Sequence, residues 1–95
     1  MYYVVLCQDK PGSQNLRQET RPRHLDYLQR LGTHLKFAGP FINDQGQPTG
    51  SMLVVEAKSE AEAQRIAEGD PYAKAGLFDS REIKCWNWTI NNPKG

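Results

Sequence analysis

The two side chains of this sequence best suited to acid–base chemistry are His24 and Asp70. An imidazole takes up and returns a proton near neutral pH, and a carboxylate that accepts a hydrogen bond from it fixes its tautomer. Each residue also has a purely structural explanation, His24 as a capped or surface side chain and Asp70 as the residue that holds an Asp-Pro turn. Which explanation applies depends on whether the fold brings the two side chains together.

Motifs for other kinds of chemistry are missing from the sequence. It contains no glycine-rich phosphate loop, no paired CxxC, no HExxH and no GxSxG, so we predict neither a metal nor another cofactor. Cys7 and Cys85 do not fit a metal motif or a disulfide framework, and we interpret them as buried, reduced thiols. A redox role is the alternative if they lie on adjacent strands. His34 receives a structural role at a helix C-terminus.

Length and charge restrict the class of protein. The chain has 95 residues, 12 Lys and Arg against 11 Asp and Glu, and a formal net charge of +1. This length suits one domain, which we place at residues 1–90, followed by a polar tail at residues 91–95. The charge argues against nucleic acid, which selects strongly basic surfaces. RNA binding on the sheet is an alternative, and it needs exposed aromatic side chains on the strands. We interpret the aromatic residues of the first and last strands instead as core or dimer contacts: Tyr2, Tyr3, Trp86 and Trp88.

The amino-terminal segment bears on location. Residues 1–7 form an apolar run with no basic residue before it and no small-residue cleavage site after it, so we expect no secretory signal. No apolar run approaches the ~20 residues that a membrane helix requires. We therefore expect a cytosolic protein that does not enter a membrane.

The first helix must position His24. Leucines recur every three or four residues, which predicts a helix over residues 15–35 with a buried leucine stripe. Pro22 leaves two alternatives: the helix begins with Thr20 as its cap, or it starts near Asn15 and is kinked at the proline, which we prefer. The leucines of the stripe are Leu25, Leu28, Leu31 and Leu35.

The remaining elements follow from strand and cap patterns. Strands are predicted at residues 2–8, 39–42, 50–56 and 83–90, with the second short and at an edge because of Pro40 and the third central. Ser59 and Glu62 form a capping-box pattern, so a second helix begins there and ends by Gly69. A loop then runs from Asp70 through Gly76.

The order β-α-β-β-α-β predicts an α+β domain of the ferredoxin-like kind, with a four-stranded antiparallel sheet and both helices on one face. The first and third strands carry apolar side chains on both faces. A monomer would leave the second face in water, so we expect a homodimer in which another subunit covers it.

Short motifs occur together and in order over the chain from Tyr2 through Trp86. They are Arg23-His24-Leu25-Asp26-Tyr27-Leu28, Ala38-Gly39-Pro40, Thr49-Gly50-Ser51, Asp70-Pro71-Tyr72 and Ala75-Gly76-Leu77-Phe78. With them the chain resembles the YciI-like family. The resemblance implies a dimeric α+β barrel similar to muconolactone isomerases. It also implies a histidine and aspartate pair, which falls on His24 and Asp70, and a serine that falls on Ser51.

The resulting hypothesis is an enzyme that acts on a small aromatic or anionic substrate, with His24 moving a proton and Asp70 orienting the imidazole. The resemblance implies lyase- or isomerase-like chemistry, of which dehydrohalogenation of hydroxylated aromatics is one form. The alternative is a non-catalytic ligand-binding or accessory dimerisation domain, because one fold can serve either purpose. The residues assigned to substrate contact are Ser51, Tyr72 and the arginines Arg21 and Arg23, either of which would attract an anion.

Overall fold

The computed structural model describes residues 1–94, and Gly95, the last residue of the predicted tail, lies outside the described residues. The strands and helices are β1 (Tyr2–Asp9), α1 (Gln14–Leu31), β2 (Leu35–Ile42), β3 (Pro48–Glu56), α2 (Glu60–Glu68), α3 (Pro71–Lys74) and β4 (Phe78–Trp86). A single 3-10 turn, Gly32–His34, joins α1 to β2.

The strands form one antiparallel sheet in the order β2-β3-β1-β4. This is the predicted ferredoxin-like arrangement, with α3 as a short addition, and it confirms β3 as central and β2 as an edge strand. β2 is eight residues long rather than short, because its partner β3 begins at Pro48 and pairs along most of its length.

The core lies between the helices and one face of the sheet, which we call the helix-side face. Tyr3, Val5 and Cys7 of β1 alternate toward this face, and Leu53 and Val55 of β3 lie opposite Val5 and Tyr3. Each such side chain contributes about 1.5–3 kcal/mol through burial of its apolar surface. From α2 the small side chains Ala63 and Ala67 let the helix approach closely.

α1 differs from the prediction in its bounds and in its buried face. It continues through Pro22 from Gln14, so a start at Thr20 is wrong. It also ends before the predicted limit, because Gly32 takes a positive φ of 58° and Leu35 already belongs to β2. Its fully buried residues are Arg17, Thr20 and His24, whereas Leu25 of the predicted leucine stripe is 44% exposed. A polar face of the helix is therefore turned inward, and the surface interpretation of His24 is wrong.

The carboxyl-terminal third also departs from the prediction. Asp70 begins a helical turn rather than a loop. β4 runs from Phe78 to Trp86, so it starts earlier than predicted and leaves Trp88 and Ile90 outside the sheet. Cys7 is buried as expected, but Cys85 is exposed, which corrects the prediction for that thiol.

The other face of the sheet, the far face, carries an aromatic cluster. Trp88 folds back against it, with its ring 5.6 Å from Tyr2, 5.3 Å from Phe37 and 5.9 Å from Trp86 between centroids. Phe37, Phe41 and Trp86 nevertheless stay 37–44% exposed. Along the described chain, no helix combines the length and the apolar character that crossing a membrane would take.

Candidate functional site

His24 and Asp70 lie in direct contact on the helix-side face. The imidazole Nδ1 is 2.8 Å from Asp70 Oδ1, and the two residues are only 7% and 2% exposed. A carboxylate only accepts hydrogen bonds, so Nδ1 carries the hydrogen of the neutral ring. The lone pair then lies on Nε2, which has no hydrogen-bond partner among residues 1–94 and is the atom that can take up a proton.

Asp70 is held in place by the chain around it. It is the N-cap of α3, and the same Oδ1 that contacts His24 accepts a hydrogen bond of 3.0 Å from the Tyr72 amide. Pro71 occupies the first helical position, where its missing N–H costs nothing and its fixed φ favours the turn. The Asp-Pro-Tyr sequence thus orients the carboxylate before any ligand arrives.

A tyrosine of α1 joins the two helices that carry the pair. Tyr27 donates a hydrogen bond of 2.7 Å from its hydroxyl to the carbonyl of Ile66, in the last turn of α2. Gly69 leaves room for this contact, since a Cβ there would lie 2.6 Å from the Tyr27 hydroxyl oxygen. Because His24 is in α1 and Asp70 directly follows α2, this contact fixes one relative to the other.

A buried arginine, Arg17, lies beside the pair on the inward face of α1. Its Nε and Nη2 donate to the two carboxylate oxygens of Asp9 at 2.7 and 2.9 Å, and Nη2 also donates to Ser51 Oγ at 2.7 Å. Burial alone would lower the pKa of this guanidinium, but the hydrogen bonds and charge of Asp9 raise it above the ordinary value. Arg17 is therefore a fixed cation at the site.

Tyr72 links Arg17 to His24. Its ring stacks on the imidazole with centroids 3.9 Å apart and an interplanar angle of 17°, and the Arg17 guanidinium carbon is 4.6 Å from its centroid. Both contacts favour a positive charge over the electron-rich ring face. Burial raises the pKa of the Tyr72 hydroxyl, although Arg17 and Arg21 act against this rise, so the side chain is a neutral phenol near pH 7.

These residues line a cleft between α1 and the β2–β3 hairpin. An inner cavity of about 180 Å³ contains His24 and Ser51, and an adjoining outer cavity of about 330 Å³ opens past Gln14 and Gln47. The two share walls from Arg17, Arg21, Pro40 and Tyr72. A cavity of about 150 Å³ is large enough to hold benzene, so the inner compartment suits one six-membered ring.

The structure separates the other candidates. Arg21 and Arg23 are both exposed, but only Arg21 is among the residues that line the cleft. His34 contacts the Glu56 carbonyl at 3.2 Å, away from the cleft. A larger cavity of about 450 Å³ lies at the far face near Phe41 and Glu82 and has no contact with the pair. Within residues 1–94, no three histidine, cysteine or acidic side chains are grouped as metal ligands.

Sequence reasoning missed Arg17 and Asp9. Arg17, Thr20 and His24 are spaced by three and four residues, so they share one helical face, and this spacing was a usable signal. It was hidden by the leucines, which made a more familiar amphipathic pattern. Asp9 gave no signal, because a register shift at the end of β1 sets its direction.

Comparison with known proteins finds a matching family and similar proteins. The sequence profile of the YCII-related domain matches residues 1–87. Protein YciI from Escherichia coli O6:H1 strain CFT073 is 39% identical over 92 residues, which span 88% of this chain and 94% of that protein.

Solved structures agree. The 5-chloro-2-hydroxyhydroquinone dehydrochlorinase TftG from Burkholderia phenoliruptrix AC1100, in complex with 2,5-dihydroxybenzoquinone, superposes with a TM-score of 0.86 at 33% identity and covers 97% of this chain and 99% of that one. SnoaB, a cofactor-independent oxygenase from Streptomyces nogalater, gives a TM-score of 0.57 at 8% identity over 96% of each chain. At that identity SnoaB supports the fold alone.

Proposed function

The chain belongs to the YCII-related domain family, and on that premise we propose that it is an enzyme which moves a proton on a small hydroxylated ring bound in the cleft. The observation that carries the proposal is the buried contact between His24 Nδ1 and Asp70 Oδ1, which leaves Nε2 as a base. The reaction class that fits is an elimination or isomerisation started by removal of an acidic proton.

The proposed reaction of a halogenated hydroxylated ring starts from its keto tautomer. In the keto tautomer the ring carbon that carries the halogen is tetrahedral. Nε2 of His24 takes a hydroxyl proton, and the electron pair of that O–H bond forms a carbonyl. The neighbouring double bond shifts toward the halogen-bearing carbon, and the halide leaves with the electron pair of its bond. The products are the unsaturated ketone, a halide ion and a proton on His24, which water removes.

Within this proposal Asp70 orients the imidazole and stabilises its protonated form. Ser51 and Tyr72 contact the ring, since both line the inner cavity. Arg21 attracts an anionic substrate from the mouth of the cleft. Arg23 does not line either cavity, so the proposal gives it no contact with the ligand.

The test is chloride release from 5-chloro-2-hydroxyhydroquinone, the compound named for the neighbour TftG. The protein is expected to release chloride, and His24→Gln is expected to lower the rate at least 100-fold, in the range for loss of a general base. His34→Gln is the matched control, because His34 lies away from the cleft. Chloride release unchanged in His24→Gln would contradict the proposal, and binding without release would favour the non-catalytic alternative.

We also propose that the protein is a homodimer through the far face. Phe37, Phe41 and Trp86 leave apolar area there in water. β4 carries Glu82 and Lys84 toward the same face, opposite Leu6 and Val4 of β1. A two-fold axis therefore allows opposite charges to meet across an apolar centre. Sedimentation is expected to give a dimer in the micromolar range, and a monomer at such concentrations would refute this. The cytosolic location and the lack of nucleic-acid binding also belong to the proposal.

A further inference from the structure

One wall of the inner cavity carries a buried guanidinium beside two hydroxyl groups, those of Ser51 and Tyr72. Arg17 gives Nε and Nη2 to Asp9 and Ser51, and its guanidinium also forms a side-chain hydrogen bond with the Tyr72 hydroxyl. Arg17 lines both cavities although only 5% of the residue is exposed. A buried cation at a cavity wall, with two hydroxyl groups held beside it, favours an anionic oxygen ligand.

Ser51 has a defined hydrogen-bond polarity. Its Oγ accepts from Arg17 Nη2, and an oxygen that accepts there directs its own hydrogen elsewhere. That hydrogen has no acceptor among residues 1–94, and the residue is 3% exposed. The hydroxyl of Tyr72 likewise accepts a hydrogen bond from Arg17 and remains protonated, since burial raises its pKa, so its own hydrogen is directed away from the guanidinium. Both hydroxyls are therefore available as donors to a ligand.

No acidic side chain opposes these donors. Asp9 is occupied by Arg17, and Asp70 is occupied by His24 and the Tyr72 amide. The residues that line the two cavities include no Asp and no Glu. Apart from the imidazole Nε2, the side-chain acceptors on these walls are neutral amides and hydroxyls, so the arginines make the polar wall favour negative charge.

We propose that Arg17, Ser51 and Tyr72 form an oxyanion pocket that takes the ionised oxygen of a ring-bound enolate or phenolate. This inference rests on the proposed function, because it names the group that receives the charge when His24 removes a proton. The proton goes to Nε2 and its electron pair stays on the ligand. That charge lies at first on the ring oxygen that lost the proton, where the three donors stabilise it until the carbonyl forms and the halide leaves.

Asp9 is the positioning residue of this pocket. Its two oxygens hold the guanidinium as a planar pair with both side chains less than 10% exposed. A guanidinium fixed in this way needs no reorganisation when charge develops on the ligand. Asp9 touches no cavity lined by His24, so it acts only through Arg17.

The test compares two probes of similar shape by titration calorimetry with the intact protein. 2,5-Dihydroxybenzoquinone is an acidic vinylogous carboxylic acid and binds as an anion, whereas 2,5-dimethoxybenzoquinone has no proton to lose. The protein is expected to bind the anion at least about 10-fold more tightly, as for one hydrogen bond to a charged group. Ser51→Ala and Tyr72→Phe are each expected to reduce this preference about 5- to 10-fold. Arg17→Lys, which keeps a cation for Asp9, is expected to reduce it further.

Ser80→Ala is the matched serine control, since Ser80 is exposed and lies on β4 away from the cleft. His24→Gln is expected to keep the anion preference, because the probe has already lost its proton. Equal binding of the two probes by the protein, no binding of the anion, or an intact preference in both Ser51→Ala and Arg17→Lys would overturn the oxyanion pocket. Absence of chloride release together with a preserved anion preference would count against the proposed catalysis alone.

Discussion

Replacing Asp70 by Asn or by Ala separates its charge from its geometry. Oδ1 of Asp70 accepts from both His24 Nδ1 and the Tyr72 amide. In Asp70→Asn the amide N–H of Tyr72 requires an oxygen at that point, so the new carbonyl stays there and still accepts from Nδ1–H. The tautomer of His24 is therefore expected to survive while the negative charge is lost.

The magnitudes follow from these contacts. A hydrogen bond to a charged group is worth about 1 kcal/mol more than a neutral one, so Asp70→Asn should lower the free energy of unfolding by about 1 kcal/mol. The same loss in the transition state corresponds to a roughly fivefold to tenfold lower kcat. Asp70→Ala loses a helix cap, about 1 kcal/mol, and leaves a buried Nδ1–H unpaired, about 1–3 kcal/mol, which gives about 2–4 kcal/mol in total.

Urea unfolding at pH 7 measures the first quantity, and nitrogen NMR of the imidazole measures the tautomer. The protein and Asp70→Asn should both show a protonated Nδ1 and a free Nε2, and Asp70→Ala should show a mixture. Equal loss of stability in the two variants, or a protonated Nε2 in neutral Asp70→Asn, would refute the reasoning.

Four further outcomes are expected. Tyr27→Phe should lower the free energy of unfolding by about 0.5–1.5 kcal/mol in urea, because the Ile66 carbonyl loses its partner; an unchanged midpoint would show that Tyr27 does not hold the helices together. Arg21→Met should weaken binding of 2,5-dihydroxybenzoquinone more than Arg23→Met, since only Arg21 lines the cleft; the reverse order in calorimetry would relocate the anion site. Burial, followed by the charge of Asp70, raises the pKa of Cys7 from 9.0 to about 12, so the folded state prefers the thiol. The contribution of this thiol to stability is present below pH 9 and is lost as the pH rises toward 12. The free energy of unfolding of Cys7→Ala should therefore fall less steeply with pH than that of the parent protein over this range. In the native state at pH 8, a thiol reagent should modify Cys85 and spare Cys7, and rapid reaction of both would contradict the burial of Cys7.

The fold was predictable because its signals are local. Ser59 accepts from the Glu62 amide at 3.2 Å, as the capping-box pattern indicated, and alternating apolar residues specify β1 and β3. Once β-α-β-β-α-β order is known, α1 and the end of α2 lie side by side, which explains why His24 and Asp70 were the pair to consider.

The rest of the site depends on contacts that spacing does not encode. Arg17 lies in α1 and Asp9 is the last residue of β1, so their contact depends on how the two elements pack. Ser51 contacts Arg17 from β3. The pattern at Asp70 predicts a loop and not the observed helical turn, because four residues are too few to show a helical period. Aromatic alternation continues beyond Trp86 and so predicts a strand at Trp88, but β4 ends at Trp86 and Trp88 packs against the far face.

The most direct test of the central claim is nitrogen NMR of His24 during anaerobic titration with 2-hydroxyhydroquinone, the halogen-free analogue of the proposed substrate, which keeps its hydroxyl protons near neutral pH. The free protein is expected to show a protonated Nδ1 and an unprotonated Nε2. Addition of the probe is expected to move the Nε2 resonance toward the protonated form, as the base accepts a proton or hydrogen bond from the bound ring. A probe that binds without any change at Nε2 would contradict the account.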